Sequence, residues 1–345
     1  MQRNNNQRVV YLDLLRVLAA LAVIFGHGAT SEFYAPVSSV SWNIAVVEDS
    51  LVRWCVPVFI MISGALFLNP KKEITYQEIL RKRVPRLFIA YVFWALMYVL
   101  YDFAMAGFEG FSVLQLIRRS VMIPCVHLWF LPVLMGIYLL IPILRKIAQD
   151  DKLICYALTI WIVFVFFNFM QFVEGFKSVK HFYSLFNKNS IIGYSGYFLL
   201  GYFLSRHGFS KRQRLWIYLL GIIGALVTIL GTFHVSASMG EANERFFANL
   251  SLQVIAMATA LFVLVKELAQ KCGTLMLKFL AFVRKDLFGI YLIHALWLDV
   301  VNTTTFRHCC NEIITLPLIT IIVFVLSLFT TKLIRLVPIL RRVVE

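Results

Sequence analysis

A series of long apolar stretches separated by short polar segments constrains this chain more than any other feature. A helix that crosses a bilayer needs about 20 mostly apolar residues. The chain has 60% hydrophobic and only 15% charged residues. Soluble globular proteins have about a quarter of their residues charged, and disordered chains are still more polar. The composition therefore excludes soluble enzymes, nucleic-acid-binding proteins and disordered chains. We predict an all-α, polytopic integral membrane protein with a single domain over residues 1–345. The ten predicted spans are residues 9–30, 51–69, 87–107, 127–147, 153–173, 191–205, 215–233, 249–265, 287–303 and 313–331.

The distribution of positive charge among the connecting segments predicts the orientation. The connecting segments are numbered alternately, and Arg145 and Lys146, at the end of the fourth span, are counted with the loop that follows. The N-terminus, the even-numbered loops and the C-terminus then carry 24 of the 33 Lys and Arg residues, against 7 in the odd-numbered loops. Loops rich in Lys and Arg face the cytosol. We therefore predict that both termini are cytosolic, which requires an even number of spans and agrees with about ten transmembrane helices. The longest predicted outer segment, residues 31–50, is long enough for a lid or an interfacial helix.

The first span contains three polar side chains, Asp13, Arg16 and His27. Charged groups inside a membrane are costly and usually face a cavity or a partner. The spacing from Arg16 to His27 places both on one helix face, about 16 Å apart along the axis, and Asp13 is close enough in sequence to pair with Arg16. A structural ion pair and a histidine bonded to a carbonyl group would explain them without chemistry. Histidine is also the usual general base, because its ordinary pKa lies near neutrality.

A basic segment, residues 71–86, precedes the third span. Thr75 followed by Glu78 is a capping-box pattern and predicts a short cytosolic helix, which we expect Pro85 to end. Arg83 and Arg86 then lie at the membrane surface. They could simply anchor the chain and contact lipid phosphates, or they could recognise a phosphorylated cosubstrate, for which the arginine fork is suited.

Other polar residues within or at the ends of spans are weaker candidates. Arg53 lies four residues after Asp49 and could pair with it. His127 opens the fourth span and His294 lies inside the ninth. Ser63, which precedes a glycine, is most simply a small residue that permits close helix packing.

The six cysteines show neither the spacing of a metal site nor a disulfide framework. Cys125, Cys309 and Cys310 all fall on the predicted outer side, where a bridge between two of them could form. We nevertheless expect unpaired thiols, and we expect no metal cofactor.

The chain resembles the acyltransferase family 3 membrane proteins in five motifs that occur in the family's order and on matching spans. Each motif is weak alone, but together they extend over nearly the whole chain. The departures are small: Val17 stands where the family often has Gly or Ala, and Ala65 where an aromatic residue is frequent. The motifs are Arg16 with His27 (R-x10-H), Arg83 with Arg86 (R-x-x-R), and the segments 57–64, 127–131 and 291–294.

This resemblance implies a multi-pass O-acyltransferase (O-acetyltransferase) of the cell inner membrane. It implies that an acetyl or other short acyl group passes from cytosolic acetyl-CoA, or another acyl-CoA, to a hydroxyl of a surface or extracytoplasmic glycan or lipid-linked saccharide. Membrane lipid would surround the protein, and nucleic acid would not be a partner. Some members carry a large extracytoplasmic domain, which is not found in this sequence. In this respect the chain is similar to compact members that modify surface polysaccharides.

The resemblance also implies roles for particular residues. Arg83 and Arg86 would hold the phosphates of the donor, whose arm would pass Arg16 and its partner Asp13. His27 would deprotonate the acceptor hydroxyl, or alternatively carry an acyl-histidine intermediate. Acyl transfer also needs a donor for the developing oxyanion. The candidates for stabilising the oxyanion or contacting the acceptor are Arg53, Ser63, His127 and His294.

A competing interpretation is a proton-coupled secondary transporter or flippase of a glycan or lipid-linked intermediate, since intramembrane Asp, Arg and His residues suit such carriers. Against it, the sequence contains no pair of Gly- or Pro-broken helices in corresponding halves. A non-catalytic scaffold would leave the stripe of Arg16 and His27 unexplained.

Overall fold

The computed structural model describes residues 7–108, 112–122, 127–170, 190–303 and 312–344, and every regular element in these ranges is helical. A π-helical turn, Ile79–Arg83, joins two α-helices, and short 3₁₀ turns follow others. The α-helices are α1 (Gln7–Phe33), α2 (Val40–Val52), α3 (Cys55–Phe67), α4 (Tyr76–Glu78), α5 (Val84–Met105), α6 (Val113–Met122), α7 (Phe130–Ile147), α8 (Asp151–Met170), α9 (Ser190–Arg206), α10 (Lys211–Met239), α11 (Leu252–Leu268), α12 (Thr274–Val283), α13 (Leu287–Asn302) and α14 (Glu312–Leu336).

Within the described residues, seven helical segments are long and apolar enough to cross a membrane. The chain is therefore an all-helical, multi-pass membrane protein, as predicted. The three remaining predicted spans, 153–173, 191–205 and 287–303, correspond to α8, α9 and α13, although the end of the first lies outside the described residues. The cytosolic placement of both termini stays a prediction. The seven segments are Val10–Phe33, Val40–Phe67, Tyr76–Met105, Phe130–Ile147, Lys211–Met239, Arg245–Lys271 and Ile313–Leu336.

Helix α1 lies at the centre of the fold, where it contacts α2, α3, α11, α12, α13 and α14. Its small and aliphatic side chains allow this, since Leu15 and Ala19 are fully buried. Helices α3 and α9 pack most closely, because a Cβ atom at Gly64 would overlap the carbonyl group of Phe198 and one at Gly201 would overlap that of Met61. Small residues thus bring helix backbones together, as is typical in membranes.

The segment before α5 differs from its prediction in one respect. The Thr75 hydroxyl accepts a hydrogen bond from the Glu78 amide at 3.1 Å, so a helix begins there as expected. Pro85 does not end it, and the expectation of a break was wrong. The π turn inserts an extra residue, with the Val84 amide bonded to the Ile79 carbonyl, and Pro85 falls in the first turn of α5, where its missing N–H is not needed.

The predicted outer segment 31–50 also has defined structure, because its second half forms α2. This helix begins at Ser39, whose hydroxyl accepts a hydrogen bond from the Trp42 amide at 3.2 Å. Trp42 and Val46 are buried, and α2 packs against both α1 and α10. The segment is therefore part of the bundle, and α2 continues almost directly into α3.

Three cysteines in the described residues, Cys55, Cys155 and Cys272, have free thiols. Cys125, Cys309 and Cys310, for which a bridge was considered, lie outside the described residues. In the part of the chain that the structure describes, no three or more His, Cys, Asp or Glu side chains are arranged to hold a metal ion.

Candidate active site

Asp13 and Arg16 form the ion pair that their spacing predicts. Arg16 Nη1 lies 2.9 Å from Asp13 Oδ1, and the Asp13 carboxylate is largely buried. Asp13 also interacts electrostatically with Arg284. The pair therefore holds the Arg16 side chain in place beside the cavity described below, three helical turns from His27.

His27 lies in a cluster of three imidazoles. Its ring centroid is 5.4 Å from that of His294 and 6.2 Å from that of His127, and the rings of His127 and His294 are 5.1 Å apart. They come from α1, from the turn before α7 and from α13. The sequence nominated all three separately, and the tertiary structure brings them together.

Backbone carbonyl groups determine which nitrogen of the two buried histidines carries the proton. His294 Nδ1 lies 2.6 Å from the Tyr291 carbonyl, and since that oxygen can only accept, Nδ1 is the donor. The His127 ring also forms a hydrogen bond with the backbone of Leu292. Nε2 of each ring is buried and has no hydrogen-bond partner in the described residues. When neutral, both rings therefore present an Nε2 lone pair that can accept a hydrogen bond.

Tyr291 connects this cluster to the rest of the site. Its hydroxyl donates to the backbone carbonyl of His127, and its own carbonyl accepts from His294. Tyr98 adds a second brace, because its hydroxyl donates to the Leu292 carbonyl at 2.7 Å. The positions of His127 and His294 therefore both depend on the backbone of residues 291–294.

Arg53 and Asp49 form the predicted pair, and Arg53 lies near His27. The Arg53 guanidinium lies 4.0 Å from the centroid of the Phe247 ring and interacts electrostatically with His27. Arg53 Nε is buried and has no partner in the described residues. This leaves one N–H donor for a group that binds near His27, in the manner of an oxyanion site.

A cavity of about 690 Å³ extends between α1, α3, α5, α7 and α13. Six of its lining residues are basic and two are acidic, so it is strongly cationic. Ser63 lies in this cavity and not among the histidines, with its hydroxyl bonded to the Phe59 carbonyl at 3.0 Å. The charged lining residues are Arg16, Lys72, Glu73, Glu78, Arg83, Arg86, Arg284 and Lys285.

Both arginines of the R-x-x-R motif line the cavity, and Arg83 is paired with Glu78. Its Nε and Nη2 atoms donate to Glu78 Oε1 at 3.0 and 2.7 Å, and its guanidinium lies 5.3 Å from the centroid of the Phe67 ring. The π turn explains this contact, because it brings residues five apart onto one face.

Sequence reasoning missed three cationic side chains of the cavity, Lys72, Arg284 and Lys285. A signal for the last two was present, since they lie just before the ninth predicted span, on the side predicted to be cytosolic. Asp286, the next residue, does not neutralise them. It is fully buried and pairs instead with Lys332, at 2.8 Å, and with Arg335.

The cavity has a basic end and an aromatic end. Residues of α3 line the cavity from Phe67, which lies beside Arg83, to Phe59. These two residues of α3 are about 12 Å apart along the helix axis. On α13 it is lined as far as Tyr291, one turn before His294. The aromatic end of the cavity therefore adjoins the histidine cluster, and a long molecule with an anionic head could reach from Arg83 towards His27.

The sequence matches a known protein family. A family profile described as an acyltransferase domain, that of acyltransferase family 3, matches residues 9–334. No curated protein and no solved structure gives a significant match. Because the profile extends over nearly the whole chain, including the basic cavity and all three histidines, this protein belongs to acyltransferase family 3 and is a multi-pass membrane acyltransferase.

Proposed function

We propose that this protein transfers an acetyl or other short acyl group from cytosolic acyl-CoA to a hydroxyl of an extracytoplasmic glycan or lipid-linked saccharide. The protein would act as one domain in the inner membrane, with both termini in the cytosol. One observation supports this most strongly: the cavity runs from a cluster of basic side chains to Tyr291, which contacts both His127 and His294.

The donor's nucleotide phosphates would bind at the basic end of the cavity. Arg86, Arg284 and Lys285 supply charge there, together with Lys72 and Arg83. Hydrogen bonds to a charged group contribute about 1.5 to 3 kcal/mol each, and arginine can bind phosphate through two N–H groups at once. For Arg83 this would mean sharing or releasing the Glu78 carboxylate.

The thioester would lie at the aromatic end, next to His27. The unprotonated imidazole of His27 takes the proton of the acceptor hydroxyl, whose oxygen attacks the thioester carbon. Collapse of the tetrahedral intermediate breaks the C–S bond, and the thiolate receives the proton from His27, so that an ester and CoA leave. Arg53, whose Nε–H has no partner in the described residues, would stabilise the oxyanion. An acyl-histidine intermediate on His27 is the alternative route.

The acceptor would contact the two remaining imidazoles. Nε2 of His127 and Nε2 of His294 are buried and receive no hydrogen bond from the described residues. A buried acceptor of this kind costs about 1 to 3 kcal/mol when left unpaired. Hydroxyl groups of a saccharide would supply the missing donors. This favours a polyhydroxylated acceptor, which carries several donors, over a simple alcohol, which carries one.

The proposal is tested with purified protein in lipid nanodiscs, acetyl-CoA labelled in its acetyl group, and a lipid-linked saccharide fraction from bacterial membranes. We expect the label to appear in the saccharide together with an equal amount of free CoA. A transporter would release no CoA. Labelled saccharide formed equally well by His27→Ala, or no CoA release by the parent protein, would overturn the proposal.

A further inference from the structure

Three aromatic rings close the end of the cavity that adjoins the histidines. The ring centroids of Phe59 and Phe130 are 6.2 Å apart, those of Phe59 and Tyr291 are 6.5 Å apart, and those of Phe130 and Tyr291 are 5.8 Å apart. All three distances lie within the range of aromatic rings in contact. The rings come from α3, α7 and α13, and all three line the cavity. We call this triangle the aromatic collar.

The collar lies between the basic end of the cavity and the histidines, as the order of residues along α7 and α13 shows. On α7 the cavity is lined by Tyr138, Leu134 and Phe130 at four-residue intervals, which place them on one face, and His127 lies beyond Phe130. Tyr291 on α13 stands between Lys285, which precedes the helix, and His294 further along it. A molecule that enters at the basic end therefore reaches the collar before it reaches the histidines.

Two of the three rings are held in position. Phe130 is buried, and the Tyr291 hydroxyl is bonded to the His127 carbonyl, so a rotation of the Tyr291 ring would break a hydrogen bond of the histidine cluster. Phe59 is only half-buried and has more freedom. A passage among the rings would therefore form mainly by movement of Phe59.

We propose that Phe59, Phe130 and Tyr291 determine which acyl group the enzyme accepts, admitting acetyl and excluding longer chains. The inference rests on the proposed function, because it assumes that acyl-CoA occupies the cavity. The acyl group is the leading end of that donor, so it must enter the collar for the thioester to approach His27. One methylene more or less in such an apolar site changes selectivity by roughly 10-fold or more, and a collar of three rings in contact offers little room for additional ones.

The experiment compares collar variants with a matched control on the same helix. Phe59→Ala and Phe130→Ala open the collar, whereas Leu134→Ala enlarges the cavity one turn closer to the basic end. Phe59→Leu and Phe130→Leu are included in case the alanine variants do not fold, because they remove the ring and keep an apolar side chain. Folding is checked by thermal unfolding. Binding of CoA, acetyl-CoA, butanoyl-CoA and octanoyl-CoA to the full-length protein in nanodiscs is measured by calorimetry.

We expect the parent protein to bind octanoyl-CoA about tenfold or more weakly than acetyl-CoA, and the collar variants to lose most of this difference. Leu134→Ala should keep the parent ratio, whatever its effect on the affinity for CoA itself, and the collar variants should bind unacylated CoA with the parent affinity. A parent protein that binds both acyl-CoA compounds equally, or collar variants that keep the parent ratio, would overturn the inference while leaving the proposed function intact. If the parent protein binds none of the CoA compounds, both the proposed function and the role of the collar in donor selection are wrong.

Discussion

The hydroxyl of Tyr291 donates a hydrogen bond to the backbone carbonyl of His127. This contact joins two parts of the site that are far apart in sequence, because Tyr291 lines the cationic cavity while His127 packs against His27 and His294. The donor cavity and the histidine cluster are therefore mechanically connected through one side chain. Its removal provides the first prediction.

Tyr291→Phe should reduce acyl transfer while donor binding stays near that of the parent. The ring is kept, but the His127 carbonyl loses its donor, which costs about 1 to 3 kcal/mol for a buried acceptor and loosens the histidine cluster. A drop of kcat by about tenfold corresponds to 1.4 kcal/mol. Tyr138→Phe is the control. Tyr138 lines the same cavity, but it lies two turns after Phe130 on α7 and is therefore further from the histidine cluster. Equal kinetic effects of the two substitutions would argue against a special role for Tyr291.

His27→Ala should abolish acyl transfer without weakening the binding of CoA or lowering the unfolding temperature appreciably. Positioned acid–base catalysts contribute about 10² to 10⁴ in rate, and His27 is not among the residues that line the cavity. His207→Ala is a suitable control, since that imidazole lies outside the cluster and bonds to the Phe203 carbonyl. Rates are measured as CoA release with the labelled donor. Retention of most of the turnover would remove His27 from the mechanism.

Basic side chains that line the cavity should matter for donor binding, and their neighbours outside it should not. Arg83→Ala, Arg86→Ala and Arg284→Ala should each raise the Kd for acyl-CoA by about tenfold or more, because each charge-assisted contact contributes about 1.5 to 3 kcal/mol. Lys82→Ala is the control, since Lys82 is exposed and lies outside the cavity lining.

The same titration contains an internal check. The defect of the arginine variants should shrink when the donor is acetyl-pantetheine, which lacks the nucleotide phosphates, because the lost contact is then absent in both proteins. Lipid anchoring would behave differently, since attraction to the surface is about 1 kcal/mol per basic residue and is shared among neighbours. Similar effects at Lys82 and at the three arginines would favour anchoring over cosubstrate recognition.

Labelling of cysteines at the two ends of α10 tests the predicted orientation of the protein in the membrane. This helix has 29 residues and is therefore about 43 Å long, enough for its ends to lie on opposite sides of the membrane. In a background without other reactive thiols, Glu241→Cys should react with an impermeant maleimide added to whole cells, and Arg212→Cys should react only after permeabilisation. Both positions are exposed. The opposite labelling pattern would reverse the assignment of the donor and acceptor sides.

The sequence by itself determined the features that depend on local geometry. In a bilayer a helix must satisfy its own backbone hydrogen bonds, so the length of an apolar stretch is enough to locate a span. The pairs of Asp13 with Arg16 and of Asp49 with Arg53 were also predictable, because helical residues three or four apart are neighbours wherever the helix lies. Pro85 shows the limit of such reasoning, since a π turn accommodated it.

Only the tertiary structure decided which helices meet. Periodicity orients a residue around its own helix axis but carries no information about the neighbouring helix. For that reason the meeting of His27, His127 and His294 could not be derived from the span pattern, although each was nominated. The same holds for the collar, whose three rings come from three helices. Interhelical packing, set by close contacts such as that of Gly64 with the Phe198 backbone, brings these separate side chains into one site.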